Sequence, residues 1–560
     1  MNDQALTLVI VGGVAGGASA ATRARRCDEH ANIILFERDH HVSFANCGLP
    51  YYIGGEITDR EKLLVAKPPI FRDRFNIDLR TRHEVKAIDR KRRVLTVHDR
   101  DNNRTFEQHY DRLILSPGAA PLRPPIPGID SKNIFTLRNL DDMDRIVAWL
   151  EKHPVKRACV VGAGFIGLEM VEQLHERQVQ TDLVELQPHV LPVLDAEMAG
   201  LVEEELRKHN VGLHLGSGVA AFEQEGDVTT AVRTDNGTEI PTELVILGMG
   251  VRPENQLATA AGLDCNADGG IAVNEYMQTS DPKIYAIGDA VSYPVTCMGK
   301  PMRIPLAGPA NRAGRLVGEH AVTGAATPMP MVLGTAIVRV FGRTVASTGL
   351  TMQNAKKLGK PARCAIITAA HHVGYYPGAQ PMALKLVYDS QTGKVLGAQA
   401  VGGEGVDKRI DVIATAIHMH ASVTQLAGVD LCYAPPFGAA KDPIHMAAFA
   451  AENDLQGVTA LFQPEDNLHG KQLVDIRTPQ ERARMHLRGS IHMELETLRD
   501  QLGQLDREKP TVVICHSGQR SHVGARILQQ HGFSQVSNLS GGMFMARFIH
   551  PAWVETGQES

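Results

Sequence analysis

Short apolar runs alternate with helical segments along much of the chain, and several of these runs end at glycine-rich turns. Near the N-terminus, an apolar run over residues 6–11 ends in the turn Gly12-Gly-Val-Ala-Gly-Gly17. A helical stretch over 18–26 follows, and a second apolar run over 33–36 leads to Glu37. Short apolar runs that alternate with helices are typical of parallel strands buried on both faces. The pattern therefore predicts an α/β fold that begins with a strand–turn–helix–strand unit.

The same succession of elements returns once, later in the chain. A second apolar run leads to the turn Gly162-Ala-Gly-Phe-Ile-Gly167, after which a helix over 168–176 and a strand ending at Glu185 are predicted. In both copies an acidic residue follows the last glycine by about 20 residues, as in dinucleotide-binding domains. The glycines let the backbone approach a pyrophosphate, the helix N-terminus supplies free N–H groups, and the carboxylate binds a ribose. The repeat predicts two dinucleotide sites, with plain tight turns as the alternative.

Composition and charge exclude several other classes. The 560 residues carry a formal net charge of −5 and are 43% hydrophobic and 22% charged, without the basic excess of nucleic-acid-binding proteins. The stretch over 6–21 contains four glycines and is too short to span a membrane, and no basic leader precedes it. Eight cysteines without a Cys-x-x-Cys pair predict a reducing, cytoplasmic location. The histidines lack zinc-type spacing, so no metal site is predicted.

The segment Ser43-Phe-Ala-Asn-Cys47-Gly-Leu-Pro-Tyr-Tyr follows the first dinucleotide unit. Together with the first glycine turn, it resembles the coenzyme A-disulfide reductases, relatives of the NADH peroxidases and NADH oxidases in the pyridine nucleotide-disulfide oxidoreductase family. The resemblance covers about residues 5–450 and implies FAD at the first glycine turn and NAD(P)H at the second. Residues 279–289 resemble the second FAD motif of that class, in which Asp289 holds the ribityl chain. Residues 116–118 and 248–250 resemble its connecting turns.

The turn pattern and the resemblance give two sets of cofactor-binding candidates. The FAD candidates lie at the first turn, after the next strand and at later turns: Gly12, Val14, Ala15, Gly16, Gly17, Glu37, Arg38, Ser116, Gly118, Asp289, Leu306 and Ala307. Val14 departs from the usual pattern, because a glycine normally stands there. The NAD(P)H candidates are Gly162, Gly164, Gly167 and Glu185. The Glu185 carboxylate would repel a 2′-phosphate, so we expect NADH to be preferred, with NADPH use possible.

Cys47 has no second cysteine close to it in the sequence, because position 42 is valine and position 52 is tyrosine. The two-cysteine reductases of this family carry Cys-x4-Cys instead. A single thiolate beside a flavin must form its covalent intermediate with the substrate or with oxygen. We therefore interpret Cys47 as a catalytic nucleophile, with a packing thiol as the alternative. Apart from Cys515, the other cysteines are interpreted as structural. Among these, Cys432 adjoins the candidate residue Tyr433 and is therefore the next candidate for a reactive thiol.

Ser19, Arg23 and Arg26 have the spacing of a single helix face. The coenzyme A-disulfide reductases match these positions to coenzyme A contacts, and surface charge is the alternative. The resemblance extends the coenzyme A set to Ser43, Asn46, Asn311 and Lys441. It also matches Tyr375 and Tyr433 to two tyrosines that reach the active site from the partner subunit and protonate or stabilise a leaving thiolate. The implied assembly is a homodimer. The alternative role of the two tyrosines is packing at the dimer interface.

A new apolar pattern begins near residue 471 and carries a second candidate nucleophile. The motif Asp475-Ile-Arg477-Thr-Pro-Gln-Glu481 opens it, and a strand over 511–514 ends at Cys515. The loop His516-Ser-Gly-Gln-Arg520 follows, and a helix is predicted from Ser521 to Gln530. Such a loop aims backbone N–H groups at its centre, and the helix dipole and Arg520 would hold an anionic sulfur there. The loop length resembles that of rhodaneses; an inactive module is the alternative.

The predicted fold class is α/β with four domains. These are two Rossmann-like dinucleotide-binding domains, an α+β dimerisation domain and a C-terminal α/β rhodanese domain. The predicted boundaries are 1–150 and 276–330 for FAD binding, 151–275 for NAD(P)H binding, 331–450 for dimerisation, 451–470 for a polar linker and 471–560 for the rhodanese domain.

The combination predicts a flavin-dependent persulfide or polysulfide reductase that also acts on coenzyme A disulfide. Cys515 would collect a sulfane sulfur, and Cys47 would attack the resulting coenzyme A persulfide and release hydrosulfide. The end-to-end pattern resembles the coenzyme A-disulfide reductase–rhodanese fusions. Two alternatives remain open: an NADH oxidase or peroxidase in which Cys47 cycles through a sulfenic acid, and a flavin redox sensor or sulfur carrier without turnover.

Overall fold

A computed structural model describes residues 5–557 of the chain. Its backbone divides into two units, the first containing residues up to 188 together with 210–334. The second unit contains 189–209 together with the residues from 335 onward. Within the described residues, no helix is long and apolar enough to cross a membrane.

The first unit contains a five-stranded parallel sheet that begins with the N-terminal strand. In spatial order its strands are Ile284–Ala286, Arg112–Leu115, Thr7–Val11, Asn32–Phe36 and Asp78–Arg80. The helices Ala15–Cys27 and Ala307–Thr323 pack closely against each other beside this sheet. A Cβ on Gly314 or Gly318 would lie 2.4 Å from a backbone oxygen of the other helix, so only glycine allows this approach.

A second parallel sheet in the same unit repeats this arrangement. Its strands, in spatial order, are Gly212–Leu215, Gln180–Glu185, Arg157–Val161, Leu244–Leu247 and Ile134–Phe135. The helix after its glycine turn spans Phe165–Glu176. In both copies the helix begins three residues before the predicted start, at Ala15 and Phe165, because the last glycines of each turn already belong to the first helical turn.

Smaller elements complete the first unit. Two antiparallel sheets contain His83–Asp89, Val94–Asp99 and Arg104–His109, and Val219–Glu225, Val228–Thr234 and Glu239–Pro241. Two-stranded pairs join Ala119–Pro121 to Val251–Pro253, and Ile271–Ala272 to Val291–Ser292. The remaining helices are Leu49–Gly54, Leu140–Lys152 and Gln256–Ala260, the 3₁₀ turns are Asn46–Gly48, Arg60–Leu63 and Gly288–Ala290, and a π turn spans Ile70–Arg74.

The second unit contains a five-stranded antiparallel sheet. Its spatial order is Ala336–Val340, Arg343–Gly349, Val395–Gly402, Pro381–Asp389 and Ala362–Ala370. The associated helices are Ala196–Lys208, Met352–Lys357, Val406–His418, Val423–Ala427 and Pro443–Leu455. The buried Lys385 forms an ion pair with Asp195 at 2.7 Å and bonds Glu197, which compensates the burial of its charge.

The C-terminal part of this unit is a parallel sheet with helices. Its spatial strand order is Ala460–Phe462, Val536–Leu539, Thr511–Ile514, Gln472–Asp475 and Ile491–His492. Its helices are Pro479–Arg484, Leu498–Gln501, Gln519–Gln530 and Gly542–Ile549, with 3₁₀ turns at Leu502–Gln504 and Pro551–Trp553. Met485–Leu487 pairs with Val554–Thr556.

Two local predictions for this region need correction. The predicted linker over 451–470 contains the end of the helix Pro443–Leu455 and the edge strand Ala460–Phe462. Leu461 and Phe462 are buried, so the strand belongs to the C-terminal sheet despite its polar surroundings. The helix predicted from Ser521 begins two residues earlier, at Gln519, directly after Gly518.

The strand Ala362–Ala370 forms one edge of the antiparallel sheet. The outer side of this strand contacts residues that directly follow strands of the C-terminal sheet. The Gln463 side chain bonds both the N–H (2.8 Å) and the C=O (3.1 Å) of Cys364. The Ser540 hydroxyl accepts from the Ile366 N–H at 3.0 Å, and the Gly541 N–H donates to the Ile366 carbonyl at 2.9 Å. The outward-facing backbone groups of these two residues are therefore all hydrogen-bonded.

Candidate active site

The first glycine turn is shaped by two very close backbone approaches. A Cβ on Gly12 would lie 2.1 Å from the Ser116 carbonyl oxygen, and one on Gly17 would lie 1.8 Å from the Gly12 oxygen. Gly12 also has φ of +95°, which disfavours other residues. In the second copy, Gly162 and Gly167 show the same approaches, at 2.3 and 1.9 Å. The repeat seen in the sequence is therefore also a repeat of backbone geometry.

Each copy anchors its acidic residue in the same way. The Glu37 carboxylate accepts from the N–H groups of Gly13 (2.8 Å) and Asp39 (3.0 Å). The Glu185 carboxylate accepts from Ala163 (2.7 Å) and Gln187 (2.8 Å). Burial raises the pKa of Glu37. Each carboxylate is thus fixed beside its glycine turn, where a ribose hydroxyl could donate to it.

A cavity of about 420 Å³ lies in front of the first glycine turn. Ten of the sequence candidates line it: Gly12, Val14, Ala15, Gly16, Glu37, Arg38, Asn46, Ser116, Gly118 and Asp289. Gly17, Leu306 and Ala307 are not among its lining residues, although Ala310 in the helix that Ala307 opens is. Gly17 instead packs against the turn itself.

The polar groups in this cavity fit FAD. The half-buried Asp289 carboxylate accepts no hydrogen bond from any described residue, and burial raises its pKa. An acceptor left unpaired at a cavity wall suits the hydroxyls of a ribityl chain. Arg38 pairs with Glu254 at 2.7 Å, and Arg138 shares the same carboxylate at 3.0 Å. No motif in the sequence singled out Arg138 or Glu254, which are distant in the chain from both glycine turns.

Cys47 lies in the 3₁₀ turn Asn46–Gly48, immediately before the helix Leu49–Gly54, and its residue surface is exposed. Partial shielding of the sulfur and the carboxylates of Glu169 and Asp289 raise the pKa of Cys47. The Tyr51 hydroxyl donates to Glu169 at 3.1 Å. The expected thiolate is therefore not favoured by the side chains around Cys47, because both nearby charges are negative.

Two of the predicted coenzyme A candidates in the first unit contact each other. The Ser19 hydroxyl donates to the Asn311 carbonyl at 3.2 Å. Arg23 pairs with Glu319 at 2.5 Å. Arg26 is exposed, with its guanidinium 5.7 Å from the Phe75 ring centre.

Two further coenzyme A candidates, Ser43 and Lys441, lie in different units. Ser43 has φ of +48°, and its N–H donates to the Gly13 carbonyl at 2.9 Å beside the first glycine turn. Lys441 is exposed in the second unit, immediately before the N-cap residue Asp442.

Tyr375 and Tyr433, which are distant in sequence, form a pair. Their hydroxyl oxygens are 3.1 Å apart, and the hydrogen bond with Tyr375 raises the pKa of Tyr433. Tyr375 is 75% exposed. The adjacent Tyr376 instead contacts the His372 ring, with centroids 5.5 Å apart. The two tyrosines singled out by the sequence can therefore act as one donor pair at the surface.

A buried arginine supports the loops that carry this pair. Arg409, 1% exposed, donates to both carboxylate oxygens of Asp442, at 3.2 and 2.7 Å. It also donates to the carbonyls of His371 (2.8 Å) and Gly405 (3.1 Å). His371 precedes Tyr375 by four residues, so Arg409 ties the Tyr375 loop to the segment that begins the helix Pro443–Leu455. Neither Arg409 nor Asp442 has a sequence motif that would have revealed it.

Cys515 occupies the centre of a second site, the C-terminal cradle, formed by residues 515–521. Its sulfur is buried, with the residue 1% exposed, and it accepts from the Gly518 N–H and the Ser521 hydroxyl, each at 3.1 Å. Gly518 has φ of +94° and is the N-cap of the helix Gln519–Gln530, so a left-handed residue joins the cradle to that helix. Ser521 was predicted only as a helix start, although a hydroxyl in a first helical turn is a usual anion donor.

Arg520, the predicted cation of this cradle, is paired with a carboxylate. Its guanidinium forms two hydrogen bonds to Glu481, at 2.8 and 2.5 Å, and this pair lowers the pKa of Glu481 to about 2. Glu481 is also held by the Thr478 N–H at 3.1 Å in a capping box. Glu481 belongs to the motif that was noted in the sequence, but its ion pair with Arg520 was not predicted. The hydrogen bonds that the Cys515 sulfur accepts come from Gly518 and Ser521.

The two glycine-turn domains, the antiparallel sheet and the cysteine cradle define a flavin- and nicotinamide-dependent oxidoreductase fused to a sulfur-transfer domain. The chain belongs to the pyridine nucleotide-disulphide oxidoreductase family, whose model matches residues 6–311. The dimerisation domain of that family matches residues 335–443, and the rhodanese-like domain matches 463–545. Members of the family depend on FAD and NAD(P)H. The predicted fold class is confirmed.

Three relatives place the chain more closely. It is 37% identical over 445 residues to a coenzyme A disulfide reductase of Staphylococcus aureus, covering 80% of this chain and 99% of that protein. It resembles the crystal structure of reduced Bacillus anthracis CoADR-RHD with a TM-score of 0.95, 43% identity and coverage of 98% and 99% of the two chains. A NAD-dependent persulfide reductase from A. fulgidus matches with a TM-score of 0.90, 36% identity and coverage of 96% and 100%.

Proposed function

We propose that this chain reduces coenzyme A persulfide, polysulfide and coenzyme A disulfide at Cys47, and that Cys515 delivers sulfane sulfur. The observation that carries the proposal is the presence of two separate thiols with different surroundings. Cys47 is exposed, and no other described cysteine pairs with it. Cys515 is buried under two hydrogen-bond donors. The three relatives support this assignment, since their names describe coenzyme A disulfide or persulfide reduction or carry the same two-part architecture.

At the C-terminal cradle, we assign Cys515 as the sulfur acceptor. Its sulfur attacks the outer sulfur of a donor, the donor's S–S bond breaks, and Cys515 becomes a persulfide while the donor leaves as a thiol. Gly518 and Ser521 are placed to donate to the terminal sulfur. Hydrogen bonds to a charged sulfur stabilise it by about 1.5–3 kcal/mol.

At Cys47, the sulfur attacks a coenzyme A persulfide or disulfide and forms a mixed disulfide, and a thiolate or hydrosulfide leaves. We assign the hydroxyl pair of Tyr375 and Tyr433 to protonate that leaving group. Bound FAD supplies two-electron exchange between NAD(P)H and sulfur. The cavity residues Glu37, Ser116 and Asp289 would hold FAD, and Gly162, Gly164 and Glu185 would hold the nicotinamide nucleotide.

Three finer assignments belong to this proposal. NADH is preferred over NADPH because the anchored Glu185 carboxylate repels a 2′-phosphate. The chain forms a homodimer through its dimerisation domain, and the tyrosine pair serves the partner subunit's active site. The reaction requires NADH and the chain carries eight free cysteines, and both favour a location in the cytoplasm.

The deciding experiment is anaerobic NADH oxidation by the FAD-loaded protein, with polysulfide, coenzyme A persulfide or coenzyme A disulfide as oxidant. Hydrosulfide release is measured for wild type, Cys47→Ser and Cys515→Ser, with Cys265→Ser as a matched exposed-cysteine control. We expect Cys47→Ser to abolish turnover with every oxidant and Cys515→Ser to slow only the polysulfide reaction. Tyr375→Phe and Tyr433→Phe should lower kcat. Consumption of oxygen or peroxide without sulfur-dependent turnover would overturn the proposal.

A further inference from the structure

Three arginines around the C-terminal cradle are paired with carboxylates. Arg520, the arginine of the cradle loop, uses two of its N–H groups on Glu481. Behind it, the buried Arg477 pairs with Asp475 at 2.7 Å. Arg547, whose charge also acts on His516 of the loop, pairs with Glu204 at 2.8 Å.

Each arginine named above therefore has its own carboxylate. Burial lowers the pKa of His516, so its imidazole is mostly uncharged near neutral pH. The donors that already bond the Cys515 sulfur are the Gly518 N–H and the Ser521 hydroxyl, and both are uncharged. Two donors suffice for one terminal sulfur. They supply no positive charge for the three oxygens of a sulfonate group.

We infer that the cradle takes sulfur from thiol persulfides and discriminates against thiosulfate, and that the Glu481–Arg520 pair sets this preference. The inference rests on the proposed sulfur acceptance by Cys515. With a persulfide, the Cys515 sulfur bonds to the outer sulfur, the S–S bond breaks, and the proton from the Cys515 thiol leaves with the departing thiol. With thiosulfate, the same attack releases sulfite, a dianion.

The difference between the two donors lies in the group that leaves. Departing sulfite carries two negative charges, which a cation stabilises. An arginine paired with a carboxylate still has N–H groups, but the pair as a whole adds little positive charge to the site. A thiol leaving group carries at most one charge and has no oxygens to satisfy. Release of Arg520 from Glu481 should therefore help thiosulfate far more than a persulfide.

The test compares Cys515 loading from two donors in the full-length protein, in the absence of NADH. The donors are thiosulfate and 2-hydroxyethyl persulfide, which carries no charge beyond its sulfur. Loading is followed by intact-mass spectrometry of the added sulfur, and sulfite release is measured in parallel. For wild type, we expect loading from the persulfide at least about tenfold faster than from thiosulfate, equivalent to about 1.4 kcal/mol. Equal rates in wild type would overturn the inference without any variant.

The variant Glu481→Gln removes the charge but keeps a side chain that can complete the capping box. We expect the thiosulfate-to-persulfide rate ratio to rise about tenfold in Glu481→Gln. The gain should disappear in Glu481→Gln/Arg520→Gln, because it depends on a freed guanidinium rather than on a loosened loop. Glu555→Gln is the matched control, since Glu555 pairs with Arg488 at 2.9 Å in the small two-stranded sheet.

The outcomes separate this inference from the proposed function. An unchanged rate ratio in Glu481→Gln, or a gain that persists in the double variant, contradicts the role of the Glu481–Arg520 pair. Absence of Cys515 loading from any donor, in wild type and variants alike, contradicts sulfur acceptance itself.

Discussion

Replacing Arg409 by methionine tests whether the tyrosine pair depends on a buried ion pair. The substitution keeps an unbranched apolar side chain but leaves the Asp442 carboxylate buried without its cation. Removing one member of a buried pair typically costs about 3–5 kcal/mol. Asp442 still accepts from the Ile444 N–H at 3.0 Å, so we expect the lower end, about 3 kcal/mol.

That loss should appear as local opening rather than as a shift of one global transition, because a multidomain chain does not unfold in two states. We would measure amide hydrogen exchange in the peptides that cover 371–378 and 438–446. A cost of about 3 kcal/mol corresponds to exchange roughly a hundredfold faster in both peptides. The helix Ala15–Cys27, which belongs to the first unit, serves as the internal reference and should not change.

A second variant isolates the charge. In Arg409→Met/Asp442→Asn the buried carboxylate is gone while the amide can still cap the helix, so we expect at least about 1 kcal/mol to be recovered. In enzyme assays, Arg409→Met should lower kcat more than it raises KM, and the loss should be smaller in a Tyr375→Phe background. If exchange near Tyr375 is unchanged in Arg409→Met, or if the double variant opens as readily as the single one, the reasoning fails.

Three further predictions follow from single contacts. Glu185→Ala should improve kcat/KM for NADPH about tenfold relative to NADH, and steady-state kinetics with both nucleotides would show an unchanged ratio if Glu185 does not face the 2′ position. Ser521→Ala should slow persulfide formation on Cys515 about tenfold, because the sulfur loses one of two hydrogen-bond donors. Intact-mass spectrometry of samples quenched at successive times checks this, with Ser517→Ala as control. Because the Cys47 pKa is raised, the rate at which iodoacetamide alkylates Cys47 in the cofactor-free chain should still increase above pH 9. Glu169→Gln should lower the midpoint of this pH–rate profile, and an unchanged midpoint would exclude the Glu169 carboxylate as a cause of the raised pKa.

Predictions from the sequence were best where chemistry is carried by backbone geometry. The glycine turns, with Glu37 and Glu185 after them, could be predicted because a tight strand-to-helix turn leaves almost no choice of residue. The Tyr375–Tyr433 pair came from family resemblance, and no local pattern connects the two positions. The 3.1 Å contact between them depends on two loops that meet only in the folded second unit.

Side-chain pairing was the part that could not be predicted. Arg23 and Arg520 were both predicted to contact anions of a ligand, and their pairs with carboxylates of the chain were not predicted. Glu319 lies on a helix almost 300 residues away from Arg23, so neither spacing nor charge pattern indicates the pair. The linker prediction failed for a related reason, because the short strand Ala460–Phe462 is recognisable only from the sheet that it joins.

The hydrogen bonds along the strand Ala362–Ala370 have a consequence for how the chain can be divided. A long, uncovered sheet edge is a template for pairing with other chains, and proteins normally protect such edges against aggregation. Here Gln463, Ser540 and Gly541 provide that protection from within the C-terminal part. A reductase truncated before residue 460 would expose this edge, so recombinant separation of the two activities risks insoluble product unless the edge is redesigned.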